Sequence, residues 1–383
     1  MWLYALAVAG GAMAYVPFLT ILLPVRVAAL TPDQQVSWLA YIIFFGASTA
    51  ALSNIGFGWL SEKFGERRKL IMAGLAFSSI VLILMPLAAS LPAIIAMIML
   101  WQAGLNMMLA PLAAWGGDCI PDRQKGMLGG LLAFAPAAGA LSGALVTIPG
   151  FAGPDGRLAM VAGMVVACVM PVIVFGKPVP FPQLMVPVKR SGGQDAFAPR
   201  TIVVRMWIAR LLVQIAEAAL FAYLYVWFRS IRDQLGEDDI AQIFGLVLLL
   251  AVPLTLSVGR WADRRDRPIL PLAVATGTSA LALLGMGLAQ SFHLALLGYV
   301  LFTLSASLFL ALHSAQTLRV LPRPQHRGRD LGFFNLTNTV PSLIMPALTL
   351  AMVPIFGFSG LFVLLAGLTL IACLLLTSII RQK

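Results

Sequence analysis

The chain has 383 residues, of which 60% are hydrophobic and only 11% are charged, and its mean hydropathy is +0.93. So few charged residues cannot cover the surface of a soluble protein of this size, so the composition predicts that the lipid bilayer surrounds most of the chain. The formal net charge is +11. The basic residues recur in short clusters between apolar runs and form no single face or tail, so we expect no nucleic-acid partner.

Apolar runs of about 20 residues predict twelve transmembrane spans. The first run has no positive residue ahead of it, so we interpret it as a span and not as a signal peptide. The first six spans lie near residues 2–24, 37–60, 70–89, 91–115, 126–148 and 158–175. The other six lie near residues 203–228, 240–259, 269–289, 293–318, 331–353 and 357–380.

Residues 177–200 separate the two sets of spans, and this segment is rich in Pro and Gly. Such a composition is typical of an exposed linker. The pattern therefore predicts an all-α membrane protein with one six-helix bundle in residues 1–176 and another in residues 201–383. Lys and Arg collect on the side of the linker and of both chain ends, which by the positive-inside rule makes that side cytoplasmic.

One short basic segment occurs twice, at equivalent places in the two halves. It reads GWLSEKFGERRKL from Gly58 to Leu70 and GRWADRRDRPIL from Gly259 to Leu270. Each copy follows one apolar run and precedes another, so each predicts a tight hairpin between two membrane helices. A duplicated hairpin indicates two related halves, which is how many secondary transporters are built.

The duplicated segment resembles the loop motif GxLaDrxGrr of the major facilitator superfamily. That resemblance implies twelve helices in two pseudosymmetric bundles, a monomer, and alternating access by rocking of the two halves about a central site. The matching positions are Gly58, Leu60, Glu62, Lys63, Gly65 and Arg67 in the first copy, and Gly259, Asp263, Arg264 and Arg267 in the second.

Two further segments, which begin at Pro121 and Leu321, precede and enter the fifth and eleventh spans. The second of them resembles a segment of the glycoside and sucrose cation symporters. Sodium-coupled members of that branch use a carboxylate in the middle of the second and fourth spans. This chain has none there, so sodium coupling is not expected.

We predict that the duplicated loops act as gates on the cytoplasmic face. Gly58 and Gly259 would let helix backbones approach closely, and Gly65 would permit a sharp turn. Acids beside arginines can form charge-assisted pairs that hold one state closed. The alternative is that these charges only set topology at the headgroups. The charged gating candidates are Glu62, Arg67, Arg68, Asp263, Arg264 and Arg267.

An ionisable residue inside a membrane helix is costly and therefore usually functional or paired. Glu217 lies near the middle of the seventh span, and Arg210, Gln214 and Glu217 are spaced i, i+4 and i+7 on one stripe of that helix. Since a carboxyl group removed from water binds a proton more readily, we predict that Glu217 is the coupling acid with Arg210 as its partner. A fixed ion pair between the two is the alternative.

The resemblance implies that the first, fourth, seventh and tenth spans line a central cavity. The substrate-binding candidates on these spans are Gln214, Gln102, Asn106, Tyr223, Arg26, His313 and Gln316. Five of them also have a structural interpretation. The two side chains of the fourth span could bridge helices, His313 could be a packed core residue, and Arg26 and Tyr223 could anchor the membrane interface.

These features predict a proton-coupled secondary transporter for a small organic solute in a plasma or bacterial inner membrane. Multidrug or metabolite efflux by proton antiport is the alternative, because Pro136, Gly139 and Ala140 resemble part of a motif of drug antiporters. The sequence has no phosphate-binding GxxxxGK[ST] motif, and its three histidines and three cysteines are scattered. We therefore expect no enzyme activity, no cofactor and no metal.

Overall fold

The computed structural model describes residues 1–119, 128, 131–132, 134–176, 200–265, 269–320 and 327–380. Inside these ranges, the side chains of residues 117–118, 200, 263, 315, 317–320 and 327–335 are not described. The predicted linker up to residue 199, Arg267 and the side chain of Asp263 therefore lie outside the described part of the chain.

The described residues form an all-helical structure. Its last helix, Arg327–Ile380, is broken at Gly357, and we call the two parts α11 (residues 327–356) and α12 (residues 358–380). The other helices are α1 (Trp2–Leu30), α2 (Gln35–Phe64), α3 (Arg67–Leu84), α4 (Leu91–Cys119), α5 (Ala135–Val146), α6 (Pro154–Phe175), α7 (Arg200–Ile231), α8 (Glu237–Arg264), α9 (Leu270–Gly287) and α10 (Phe292–Val320).

By length and composition, ten described helical segments could cross a membrane, and the segment Leu336–Ile380 among them contains most of α11 and all of α12. The shorter α5 is also apolar. The predicted fold class, all-α with twelve helices, is therefore confirmed. The break between the last two helices falls at Gly357, whose φ of 65° and ψ of −173° are open to glycine and strained for other residues.

Two local features follow directly from residue types. The Pro17 ring cannot continue the hydrogen-bond ladder of α1, and the five residues that follow it, Phe18–Leu22, form a π-helical turn. Gly65 ends α2 in the left-handed conformation, with φ of 67°, and its N–H donates to the Ser61 carbonyl at 3.1 Å. The sharp turn predicted at Gly65 is thereby confirmed.

The chain divides into two compact units. Unit 1 comprises Met1–Val186 and Gln234–Leu246, and unit 2 comprises Pro187–Asp233 and Val247–Lys383. The first part of α8 therefore groups with unit 1, and the predicted division at residues 176 and 201 stays a prediction. In unit 1, α1 packs on α5 and α6, and α4 packs on α2 and α3. In unit 2, α7 and α9 both pack on the last helices, and α10 packs on α9 and α7.

Glycines bring α3 and α4 into direct backbone contact. A Cβ added at Gly74 would lie 2.4 Å from the Met108 nitrogen and 2.8 Å from the Gly104 carbonyl oxygen. Lipid tails are as apolar as leucine side chains, so the hydrophobic effect does not hold membrane helices together. Close van der Waals packing at small residues stabilises their contact instead.

We expected such an approach at Gly58 and Gly259, and that expectation stays a prediction. Among the described residues, no heavy atom lies within 4 Å of a Cβ added at Gly58, and one added at Gly259 meets only a Leu312 methyl at 3.4 Å. A glycine inside an apolar run does not by itself reveal which face of its helix is packed.

Candidate functional site

A hydrogen-bonded group of polar side chains joins α7, α10 and α11 inside unit 2. Arg210 Nη1 donates to Ser314 Oγ at 2.9 Å, and Arg210 Nη2 donates to Asn338 Oδ1 at 3.2 Å. Gln214 Nε2 donates to the same Asn338 oxygen at 2.7 Å. Arg210 Nη1 also lies 3.4 Å from His313 Nδ1. We call these five residues, Arg210, Gln214, His313, Ser314 and Asn338, the Arg210 cluster.

The hydrogen bonds of His313 define its tautomer. The ring is fully buried, and its Nε2 lies 3.0 Å from the Met206 carbonyl oxygen, which can only accept. Nε2 must therefore carry the proton. The Arg210 guanidinium can only donate, so Nδ1 must present a lone pair to it. Both contacts are satisfied together only by a neutral imidazole protonated at Nε2.

The other members of the Arg210 cluster are less enclosed. Ser314 and Asn338 are exposed, and Arg210 and Gln214 are partly exposed. Exposed polar side chains on membrane helices cannot be solvated by acyl chains. The cluster is consistent with a surface that faces water within the membrane.

Glu217 lies three residues after Gln214, on the same face of α7, and is only partly exposed. Among the described residues, no Lys, Arg or His nitrogen lies within 4.0 Å of its carboxylate. Arg210 is the charged group that attracts it electrostatically from farther away. The direct ion pair that we considered for Arg210 and Glu217 is therefore not formed in this structure, which leaves the carboxylate available for other partners.

Two other predicted residues of unit 2 lie apart from the Arg210 cluster. Gln316 is buried in α10, and no hydrogen bond among the described residues joins it to the cluster. Tyr223 is 2% exposed, and its hydroxyl group finds no hydrogen-bond partner among the described residues. Tyr223 lines a small apolar crevice together with Trp227, Phe358 and Phe362. Its hydroxyl group is therefore a polar group among aromatic side chains.

In unit 1, the predicted pair on α4 is joined by a residue of α2. Asn106 Nδ2 donates to the Gln102 carbonyl at 2.9 Å, and Asn54 Nδ2 donates to Asn106 Oδ1 at 3.1 Å. Gln102 and Asn106 are both buried. The structure thus shows the helix-bridging arrangement that we considered for this pair, and its substrate-binding role stays a prediction.

Arg26 makes structural contacts at the end of α3. Its Nη2 donates to the carbonyls of Pro86 at 2.7 Å and Ala88 at 2.6 Å. Both carbonyls lie just beyond the last residue of α3, Leu84, and Arg26 supplies a hydrogen-bond donor to each. The predicted contact between Arg26 and a substrate is not tested by this geometry.

The turn between α2 and α3 and the helix ends beside it are exposed at most of their charged positions. Glu62 and Arg68 are exposed, and the ion pair shown in this loop joins Glu66 to Lys69 at 2.5 Å. In the second copy of the motif, Arg264 is exposed. The gating roles of Glu62, Arg67, Arg68, Asp263, Arg264 and Arg267 stay predictions.

Three polar residues in contact with the candidates were missed by the sequence analysis: Asn54, Ser314 and Asn338. Asn54 and Asn338 are amides inside otherwise apolar spans, and Ser314 follows His313 directly. An amide within a span is a usable signal, since it needs a hydrogen-bond partner there. Which partner it takes depends on how the helices rotate against one another, which the pattern along one helix does not contain.

The comparisons with known proteins agree with the helical architecture. The family model of the Major Facilitator Superfamily matches residues 1–312 and 206–383. The chain therefore belongs to the major facilitator superfamily. It is an integral membrane protein and a secondary transporter, not an enzyme. No curated protein matches this chain.

Solved structures show the same fold at low sequence identity. A POT family transporter in complex with a thioalcohol-conjugated peptide has a TM-score of 0.79 and 13% identity, over 100% of this chain and 96% of that one. A POT family transporter in complex with 5-aminolevulinic acid has a TM-score of 0.77 and 13% identity, over 98% and 95%. A bacterial homolog of the human lysosomal transporter Spinster, inward-facing and occupied, has a TM-score of 0.71 and 13% identity, over 100% and 96%.

Proposed function

We propose that this protein is a proton-coupled transporter of a small organic solute that binds at the Arg210 cluster. The observation that carries the proposal is the convergence of Arg210 and Gln214 on one oxygen of Asn338, at 3.2 and 2.7 Å. It makes one polar surface from two helices of unit 2. A polar group within the membrane is costly to leave unsolvated, so such a surface is expected where a solute or water replaces lipid.

Glu217 is the proposed coupling acid. It is the acidic residue near the middle of the 32-residue helix α7, on the same stripe as Arg210 and Gln214. It has no direct ion-pair partner among the described residues, so its proton is not held by a fixed contact. A carboxyl group in this position can take up a proton when a solute is bound and release it on the other side.

The roles predicted for the remaining residues are retained as proposals. Gln102, Asn106, Tyr223, Arg26 and Gln316 are proposed to contact the solute in some state of the transport cycle. The two duplicated loops are proposed as cytoplasmic gates. We also propose a monomer in a plasma or bacterial inner membrane, with both chain ends in the cytoplasm.

Uptake by purified protein in proteoliposomes tests this proposal. The solutes are sugars, monocarboxylates, short peptides and lipophilic cations, each with and without a pH gradient imposed in either direction. Sugars are included because of the resemblance to glycoside symporters, and peptides because a solved structure of similar fold holds one. We expect at least one solute to accumulate only when the gradient is present. The gradient direction that drives accumulation also separates symport from antiport, which would mark efflux.

The Glu217→Gln variant tests the coupling role within the same assay. We expect it to lose gradient-driven accumulation while it keeps exchange of labelled for unlabelled solute, because the amide cannot carry a proton. Asp33→Asn is the matched control, since Asp33 is an exposed acid between α1 and α2. Accumulation by Glu217→Gln at the wild-type level would contradict the assignment.

A further inference from the structure

Within the described structure, Arg210 has no acid in direct contact with it. Arg210 contributes one positive charge, and its partners Ser314, Asn338 and His313 are neutral, the last because both of its ring nitrogens are engaged as a neutral imidazole. Glu217 lies beyond 4.0 Å. A guanidinium removed from bulk water normally requires an anion close by.

Arg210 also has N–H donors that find no acceptor among the described residues. Of its five N–H groups, three point at partners: Nη1 at Ser314 and His313, and Nη2 at Asn338. The buried Nε has no partner among the described residues, and the second hydrogen of Nη2 is likewise unassigned. A buried donor without an acceptor costs free energy that a bound oxygen would recover.

The neighbours of Arg210 fix the position of its guanidinium but leave some of its N–H donors without acceptors. His313 holds Nη1 through a lone pair and is itself anchored to the Met206 carbonyl. Asn338 holds Nη2 and is held in turn by Gln214. Side chains fixed from both sides leave a preorganised donor, and a guanidinium binds a carboxylate with two parallel N–H···O bonds.

We propose that the transported solute carries a single carboxylate and that Arg210 binds it. This inference rests on the proposed transport function and adds the chemical class of the solute. One guanidinium compensates one negative charge once Glu217 has bound its proton, so a monocarboxylate then fits the charge of the cluster. A phosphate monoester, with nearly two negative charges, would leave an excess of negative charge in a membrane interior.

The test is ligand-induced thermal stabilisation of the detergent-purified protein by matched sets of compounds. The carboxylates are lactate, gluconate and benzoate, and the neutral analogues are lactamide, glucose and benzamide. Glucose 6-phosphate and phenyl phosphate are the dianions. We expect at least one carboxylate to stabilise the protein, and its neutral and dianionic counterparts to bind at least about tenfold more weakly.

Two substitutions at Arg210 test whether this residue causes the preference for carboxylates. Arg210→Gln should weaken binding of the carboxylate at least about tenfold. Arg210→Lys, which keeps the charge but loses the planar fork, should keep the carboxylate preference at reduced affinity. Arg205→Gln is the matched control, because Arg205 lies on the same helix and donates to Ser378 at 3.1 Å, outside the cluster. Each variant is first shown to be monodisperse and helical.

The outcomes separate this inference from the proposed function. If only neutral or cationic solutes bind and accumulate, or if a carboxylate binds Arg210→Gln as tightly as the wild type, the carboxylate proposal is overturned while transport stands. If carboxylates stabilise the protein through Arg210 but no pH gradient drives their uptake, the site stands and the proton-coupled function fails.

Discussion

Arg157 of α6 forms an ion pair with Glu237, the first residue of α8, and both residues belong to unit 1. The two side chains are only 13% and 23% exposed. Arg157 Nε and Glu237 Oε2 have no further partners among the described residues, so each charge depends on the other. An acid at a helix N-terminus also interacts favourably with the helix dipole.

Breaking this pair should destabilise the protein. Either Arg157→Gln or Glu237→Gln should cost about 1.5–3 kcal/mol, because the remaining charge stays largely shielded from water. The double exchange Arg157→Glu with Glu237→Arg should recover part of the loss. Thermal unfolding followed by tryptophan fluorescence measures the effect, and Asp233→Asn, at an exposed acid in the preceding turn, is the control. Equal melting temperatures for the single variants and the control would contradict the assigned pairing.

The contact between α3 and α4 should not tolerate a side chain at Gly74. Gly74→Val would place atoms within 2.4 Å of the Met108 backbone nitrogen, which cannot move aside without shifting α4. We expect a loss of about 1–3 kcal/mol or failure to insert. Gly163→Val in α6 is the matched control, since a Cβ there meets no described atom within 4 Å. Similar yields and melting temperatures for the two variants would show that α3 and α4 are not packed this closely.

We propose that His313 positions Arg210, because it contacts Arg210 Nη1 and the Met206 carbonyl. His313→Leu removes both the acceptor facing Arg210 and the donor facing Met206, whereas His313→Gln can restore one of each. In proteoliposome uptake we expect the leucine variant to raise KM about tenfold with a smaller change in kcat, and the glutamine variant to lie closer to wild type. His293→Leu, at the exposed start of the same helix, should leave KM unchanged. A leucine variant with normal KM would remove His313 from this role.

Asn54 and Asn106 should couple energetically across α2 and α4, because Asn54 Nδ2 donates to Asn106 Oδ1 at 3.1 Å. A double-mutant cycle with Asn54→Ala and Asn106→Ala should give an interaction of about 0.6 kcal/mol, the average for such bonds in membrane proteins. Thermal unfolding of the four proteins measures it. Strict additivity would mean that the bond contributes nothing to stability. A large effect of Asn106→Ala on KM, beyond its stability effect, would support its predicted solute-binding role.

The fold was largely predictable from the sequence because lipid imposes a simple rule on it. Runs of about 20 apolar residues must be helical, and the described residues of these runs are largely helical. The turn at Gly65 was also predictable, because a tight turn after α2 requires a residue in the left-handed conformation, which glycine adopts readily.

Of the candidate site, the sequence predicted only the residues that share one face of α7. The period of 3.6 residues places Arg210, Gln214 and Glu217 on one stripe of α7, but the partners Ser314 and Asn338 are separated from Arg210 by more than 100 residues. Their contact depends on helix rotation and crossing, which residue spacing does not encode. The close approach of α3 and α4 at Gly74 was not predicted for the same reason, because a packing partner is a tertiary property.

Thiol labelling tests most directly the central claim that the polar stripe of α7 faces water inside the membrane. In a protein with Cys119, Cys168 and Cys373 replaced by serine, single cysteines are introduced as Gln214→Cys and, as control, Leu281→Cys, at a residue that is 71% exposed on apolar α9. A charged methanethiosulfonate reagent, which modifies ionised thiols in contact with water, is added to both sides of proteoliposomes. We predict rapid modification at position 214 and little at position 281. Equal protection of both positions, at every pH and with or without solute, would contradict the account.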